Sequence, residues 1–193
     1  MRIAINVLLV ALIGFLIYML VNSIKEPIAF QGFKKQREAA VVERLTDVKT
    51  AQEIYREITG EFAGNFDSLN FVLRNDSIPF VNLIGDPDDP ENMDKVQRIV
   101  TYTAAMDSIN ALGLNLDSLR YIPFGGGKTF SIEADTLTYQ SSLVHVVQVG
   151  TRWETFMGEF ADVSYQKYDS GYDPKKVLKF GDMTKPTLTG NWE

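Results

Sequence analysis

The chain has no cysteine, only one histidine (His145), and no charged residue between Arg2 and Lys25. Without cysteine there can be no disulfide, no thiolate metal site and no lipid-modified cysteine. One histidine leaves little from which to assemble a zinc site. The charge-free run covers residues 3–24, where only Asn6, Asn22 and Ser23 are clearly polar. A helix of that length rises about 33 Å, enough to cross a hydrocarbon core about 30 Å thick. A cleaved secretory signal has an apolar region of only about 7–15 residues, closed by an A-x-A-like site. This run is longer and offers only Val21-x-Ser23, so a retained anchor is the better reading.

The 19 basic and 25 acidic residues leave a net charge of −6. Because Arg2 is the only charge before Lys25, the acidic excess falls on the remainder of the chain. Such a domain repels nucleic-acid phosphates, so no nucleic-acid partner is expected. Lys25, Lys34, Lys35 and Arg37 follow the apolar run closely and favour a cytoplasmic C-terminal side. Arg2 and the α-amino group on a two-residue N-terminal tail oppose them, because such a tail stays inside when the first helix acts as a signal anchor. The reading adopted is a single-pass protein of a bacterial inner membrane with a periplasmic C-terminal domain.

Residues 1–27 form the expected anchor and 28–193 an extracytoplasmic α+β domain. Pro27 predicts a kink or break, since proline removes a helical hydrogen bond. A long amphipathic helix then spans 28–60, with Val41, Leu45, Val48, Ala51, Tyr55 and Ile58 forming one apolar stripe at steps of three and four. The stripe serves as domain core or as subunit contact. Gly60 suits the residue after a helix end. A helical and loop region covers 61–118. Within it, Asp67 is expected to cap a turn carrying Leu69, Val72 and Leu73. Residues 78–84 read as a short strand. A helix of about 20 residues is predicted to open at Asp89 and Pro90, carry Met93, Val96 and Val100 on its apolar face, and end at Gly113. From 119 the period changes, and 119–124, 129–137 and 143–149 read as strands. The aromatic tail, 153–193, is expected to lay loops and short strands over that sheet.

Three patterns carry possible chemistry. Gly125-Gly126-Gly127-Lys128-Thr129 resembles the end of a phosphate-binding loop, but Ile122 stands where the motif needs its first glycine. Phe130, Ile132 and Ala134 then alternate as in a strand, so the triplet reads as a hairpin turn. His145 has neither a nucleophile elbow nor a second ligand beside it in sequence and reads as a satisfied strand residue. Asp86, Asp88, Asp89, Glu91 and Asp94 offer oxygen ligands for calcium, yet an EF-hand frame begun at Asp86 places Glu91 and Gln97 where glycine and glutamate are required. No cofactor and no metal are expected.

The apolar run, Pro27 and the stretch Arg44-Leu45-Thr46-Asp47-Val48-Lys49-Thr50-Ala51-Gln52-Glu53-Ile54-Tyr55 resemble the long first helix of type IV pilins and pseudopilins. Thr59-Gly60-Glu61-Phe62 and Phe66-Asp67-Ser68-Leu69 are similar to the helix exit of that family. The resemblance implies a helix that both anchors the subunit and packs it into an assembly, with an antiparallel sheet laid on the helix. The pattern departs from the family in having no acid before Glu26 and Gly14 in mid-run. Asp117-Ser118-Leu119-Arg120-Tyr121-Ile122-Pro123-Phe124 and Gly190-Asn191-Trp192-Glu193 resemble segments of a family of membrane-anchored envelope proteins of Bacteroidetes-type bacteria, which implies a compartment but no activity. The expected function is a non-enzymatic scaffold or pilin-like subunit of a cell-envelope assembly. Its partners would be the membrane, other envelope proteins and further copies of itself. The rival expectations are a tethered module binding a ligand or peptide on the aromatic tail, and an anchored hydrolase using His145.

Overall fold

A computed structural model describes residues 2–84 and 97–193. The chain opens with one uninterrupted helix, α1 (Arg2–Thr59), which contains Pro27. The expected break at Pro27 is therefore corrected. Proline removes one hydrogen bond, to the carbonyl of Ser23, and the helix runs on through the gap. Contacts from the tail hold α1 immediately beyond it, as described below. The helix ends at Gly60, whose amide reaches the Arg56 carbonyl at 2.8 Å with φ of +86°, a conformation glycine adopts freely.

The two parts of α1 have opposite surroundings. From Ile3 to Ile24 every described side chain is exposed. From Phe30 onward the helix forms the spine of an α+β domain and touches α2 (Phe66–Asn75), β1 (Ser77–Ile84) and β5 (Val177–Gly181). Val41, Leu45, Val48 and Ala51 are fully buried, Tyr55 is nearly so, and Ile58 packs half-buried against the same core. The stripe thus lies inside the protein's own domain. Arg44 and Asp47 pair at 3.8 Å on its flank, whereas Arg56 lies over the Phe62 ring rather than pairing with Glu53.

α2 is capped by Asn65, whose side chain accepts from the Ser68 amide at 2.7 Å; this corrects the cap expected at Asp67. Asp67 instead accepts from Arg120 at 2.7 Å, tying the helix start to the 115–120 turn. β1 pairs antiparallel with β2 (Gln97–Ala104), and α3 (Ala105–Ala111) follows. The expected 20-residue helix is thus wrong over 97–104. Val100 lies on a strand, and only the last turns before Gly113 are helical. Asp89, Pro90 and the acidic residues Asp86–Asp94 lie outside the described residues. The strand expected at 119–124 is a turn, with one bridge between Tyr121 and Thr129 closing the Gly125–Gly127 loop.

A three-stranded antiparallel sheet, in the order β3 (Ser131–Tyr139), β4 (Ser142–Arg152), β5, covers the helix. β3 and β4 join through Gln140 and Ser141, both with positive φ, in a two-residue turn of the kind usually built from Asn-Gly. At Gly181, with φ of +76°, a Cβ would lie 2.0 Å from the Val147 carbonyl oxygen, so only glycine lets β5 leave β4 there.

Candidate functional site

The site is built where α1 changes from exposed to buried. Phe30 is fully buried and surrounded by four rings. Tyr172 lies at 5.1 Å and Phe160 at 5.7 Å, both edge-on, Tyr165 stacks at 5.4 Å and Tyr168 tilts at 6.3 Å. Phe33 meets Phe160 at 5.0 Å, and Trp153 joins through Phe156 and Tyr172. Apart from Phe33 on α1, these rings come from α4 (Trp153–Phe156), the two 3₁₀ turns after it, Gly158–Phe160 and Val163–Lys167, and the turn that follows, which carries Tyr168 and Tyr172. Residues 153–172 of the aromatic tail therefore close as a clasp on α1 rather than lying over the sheet, while 177–193 supply β5 and the Gly190 bridge, the short strands and loops expected there. None of the eight tail aromatics is fully exposed.

Polar contacts fix the clasp on the helix. The Tyr168 hydroxyl meets the Glu26 carboxylate at 2.5 Å, with the Lys167 ammonium 3.8 Å from the same group. The Gln31 amide donates to the Tyr168 carbonyl at 3.2 Å. Lys34 pairs with Asp169 at 2.6 Å and lies over the Trp153 ring. The Lys34 ammonium, helped by the Gly171 and Tyr172 amides, holds the Asp169 carboxyl below its ordinary value. Arg37 donates to the Phe156 carbonyl and lies between the Phe33 and Phe124 rings, at 4.0 and 4.7 Å. The Tyr172 hydroxyl donates to the Phe160 carbonyl at 2.7 Å, and burial, with nearby carboxylates, pushes its pKa up to about 12. Phe30, Phe33, Arg37 and Val41 continue the stripe at steps of three and four. That spacing is the signal by which the clasp side of α1 could have been found.

Two other features bear on chemistry. The β1–β2 ribbon exposes Phe80 and Ile99 on one face and Val81, Val100 and Tyr102 on the other. Ile78 anchors the base of the ribbon in the core, and the stretch beyond it, exposed on both faces, is marginal in water by itself. At the far end of the domain, a groove of about 250 Å³ is lined by Glu61, Phe62, Gly64, Ala134, Asp135, Thr136 and His145. His145 is exposed there, and its Nδ1 lies 3.0 Å from the Thr136 hydroxyl oxygen. Among the described residues no group of three histidine or carboxylate side chains is placed to hold a metal.

The chain matches no protein-family model, no curated protein and no solved structure. The class that fold and site define is therefore an α+β protein with one long apolar N-terminal helix. By length and composition, that helix is able to cross a membrane.

Proposed function

We propose that the protein is a single-pass, non-enzymatic scaffold subunit of a cell-envelope assembly, pilin-like in that one helix is both anchor and domain spine. The carrying observation is the division of α1: an apolar, wholly exposed first part runs without a break into a second part that is the domain core. An exposed apolar helix of this length is unfavourable in water and favourable in lipid. In the orientation adopted above, the domain stands on the periplasmic side of a bacterial inner membrane. Because helix and clasp leave no flexible linker, the domain's position is set by the span, which suits a subunit that must present a surface at fixed height. The exposed outer part of the β1–β2 ribbon supplies a surface for other envelope proteins.

The rival reading, a ligand-binding aromatic tail, is disfavoured because those rings pack into the clasp. The test is a mild-detergent pull-down of the tagged full-length protein from native membranes, with partners identified by mass spectrometry. Stoichiometric recovery of other envelope proteins is expected. Recovery of the protein alone, or only as a self-oligomer, would overturn the subunit reading.

A further inference from the structure

The clasp lies unusually close to the end of the apolar run. Glu26 is about 3 Å along the helix axis beyond Ile24, and Gln31 about 10 Å beyond it, at 1.5 Å per residue. The last residue of the turn at Val163–Lys167 and the adjoining Tyr168 are bound to these two residues, Lys167 and the Tyr168 hydroxyl to Glu26 and the Tyr168 carbonyl to Gln31. The headgroup layer outside the hydrocarbon core is about 5–8 Å thick on each side. The Tyr168 hydroxyl and the Lys167 ammonium, at the level of Glu26, therefore fall at the depth of the headgroups whenever residues 3–24 fill the core, and the Tyr168 backbone, at the level of Gln31, stands at their outer edge. Ile28, at the same level of the helix, is 66% exposed, so one side of α1 here carries the turn and another is bare.

We propose that residues 163–168 form a seat on the bilayer, a second membrane contact beside the span, whose partner is the lipid headgroup layer. The proposal rests on the anchor reading above. Its chemistry is that of an interfacial contact. Tyr168, half-buried, holds its hydroxyl at the level of Glu26, an amphipathic ring of the kind enriched at membrane interfaces, with Tyr165 packed behind it against Phe30. Val163 is exposed with no apolar cover, and Lys167 has a stem long enough to follow the surface. Lys25, Lys167 and Lys175 stand against Glu26, Glu154, Asp162 and Asp173 around the turn and the groove beside Val163 and Gln166, so the face is slightly acidic and does not depend on anionic lipid. The seat prevents the domain from tilting about the end of the span, which keeps the β1–β2 ribbon at constant height.

The absence of cysteine makes a direct test simple, since one introduced thiol can be labelled alone. The full-length chain carrying Gln166→Cys, an exposed position in the turn, is labelled with nitrobenzoxadiazole and reconstituted in phosphatidylcholine vesicles. Val163→Cys repeats the reading from the other end of the turn. Leu143→Cys serves as the distant control. Leu143 is 75% exposed and lies next to the His145 end of β4, beside Arg56, about 45 Å along the axis from Glu26. Leu12→Cys reports the span. The expected result is quenching of the 166 and 163 labels by headgroup spin-labelled lipid, deep quenching at 12, and none at 143. If 12 is quenched while 163 and 166 behave like 143, the seat is overturned and the anchor stands. If 12 is not quenched either, the anchor reading falls and the seat with it.

Discussion

Replacing Phe30 by alanine removes the centre of the clasp while leaving α1 free to remain helical. Truncating a buried phenylalanine costs about 3–5 kcal/mol, and the cost rises when the surroundings cannot collapse into the space. Here they cannot easily do so, because the four rings around Phe30 are held on separate turns and the Tyr172 hydroxyl is fixed to the Phe160 carbonyl. The loss is expected in the upper part of that range, about 4 kcal/mol, out of a total stability of about 5–15 kcal/mol for a domain of this kind. Phe30→Leu keeps most of the apolar area and loses the ring–ring geometry, so about 1–2 kcal/mol is expected. The assay is urea denaturation in detergent micelles followed by tryptophan emission in a Trp192→Phe background, which leaves Trp153 as the reporter, since that ring lies 5.2 Å from Phe156 in the clasp. Amide hydrogen exchange over 153–172 should accelerate by about three decades in the alanine variant, at about 1.4 kcal/mol per decade. A loss below about 1 kcal/mol, with exchange in that segment unchanged, would show that the tail does not pack on the helix and would remove the basis for rigid coupling.

Two further outcomes follow from polar contacts, one buried and one half-buried. Gln52 is fully buried on α1 and makes a reciprocal pair with Ala63, donating to its carbonyl at 3.0 Å and accepting from its amide at 2.9 Å. Gln52→Ala strands both backbone groups and should cost about 3–5 kcal/mol. Gln52→Glu, which keeps the acceptor but sets a buried carboxylate oxygen against the Ala63 carbonyl, should cost at least as much at neutral pH and less in acid, where the protonated carboxyl can donate to that carbonyl. A Gln52→Glu midpoint that does not gain on that of Gln52→Ala on acidification would refute this account. Asp169 has its folded pKa depressed below 3.8 by Lys34. Its contribution is therefore complete above 3.8 and is lost as pH falls through the depressed folded value. Asp169→Asn should destabilise the clasp at neutral pH and narrow its gap from the parent protein on acidification. A gap that stays constant down to the acid transition would exclude the ion pair as its source.

Several elements could be read from local pattern because their causes are local. The apolar run is a matter of composition over 22 consecutive positions, and a helix is the means by which such a run satisfies its own backbone in lipid. The stripe from Val41 to Ile58 is periodicity alone. Gly60 and the Gly125–Gly127 turn are positions where backbone conformation selects the residue. The alternation through Phe130, Ile132 and Ala134 foretold the strand that runs from Ser131. The turn at Gln140 and Ser141 carried no such mark, since neither residue favours the left-handed region.

What the sequence by itself determined, then, is one long apolar helix followed by a spine with a defined inner face and an antiparallel sheet to cover it. Tertiary structure alone decided three things. Residues 97–104 became a strand because β1 offered a pairing edge; their spacing of valine and isoleucine fits either period over so short a stretch. Pro27 stayed inside a continuous helix because it removes only one hydrogen bond, while Glu26, Phe30 and Gln31 are held by residues more than 100 positions away. The aromatic tail closed on α1 because Phe30 and Phe33 offered buried ring faces near the end of the apolar run. Local pattern shows which side chains must be covered, but which partner covers them is decided by contacts between segments distant in sequence.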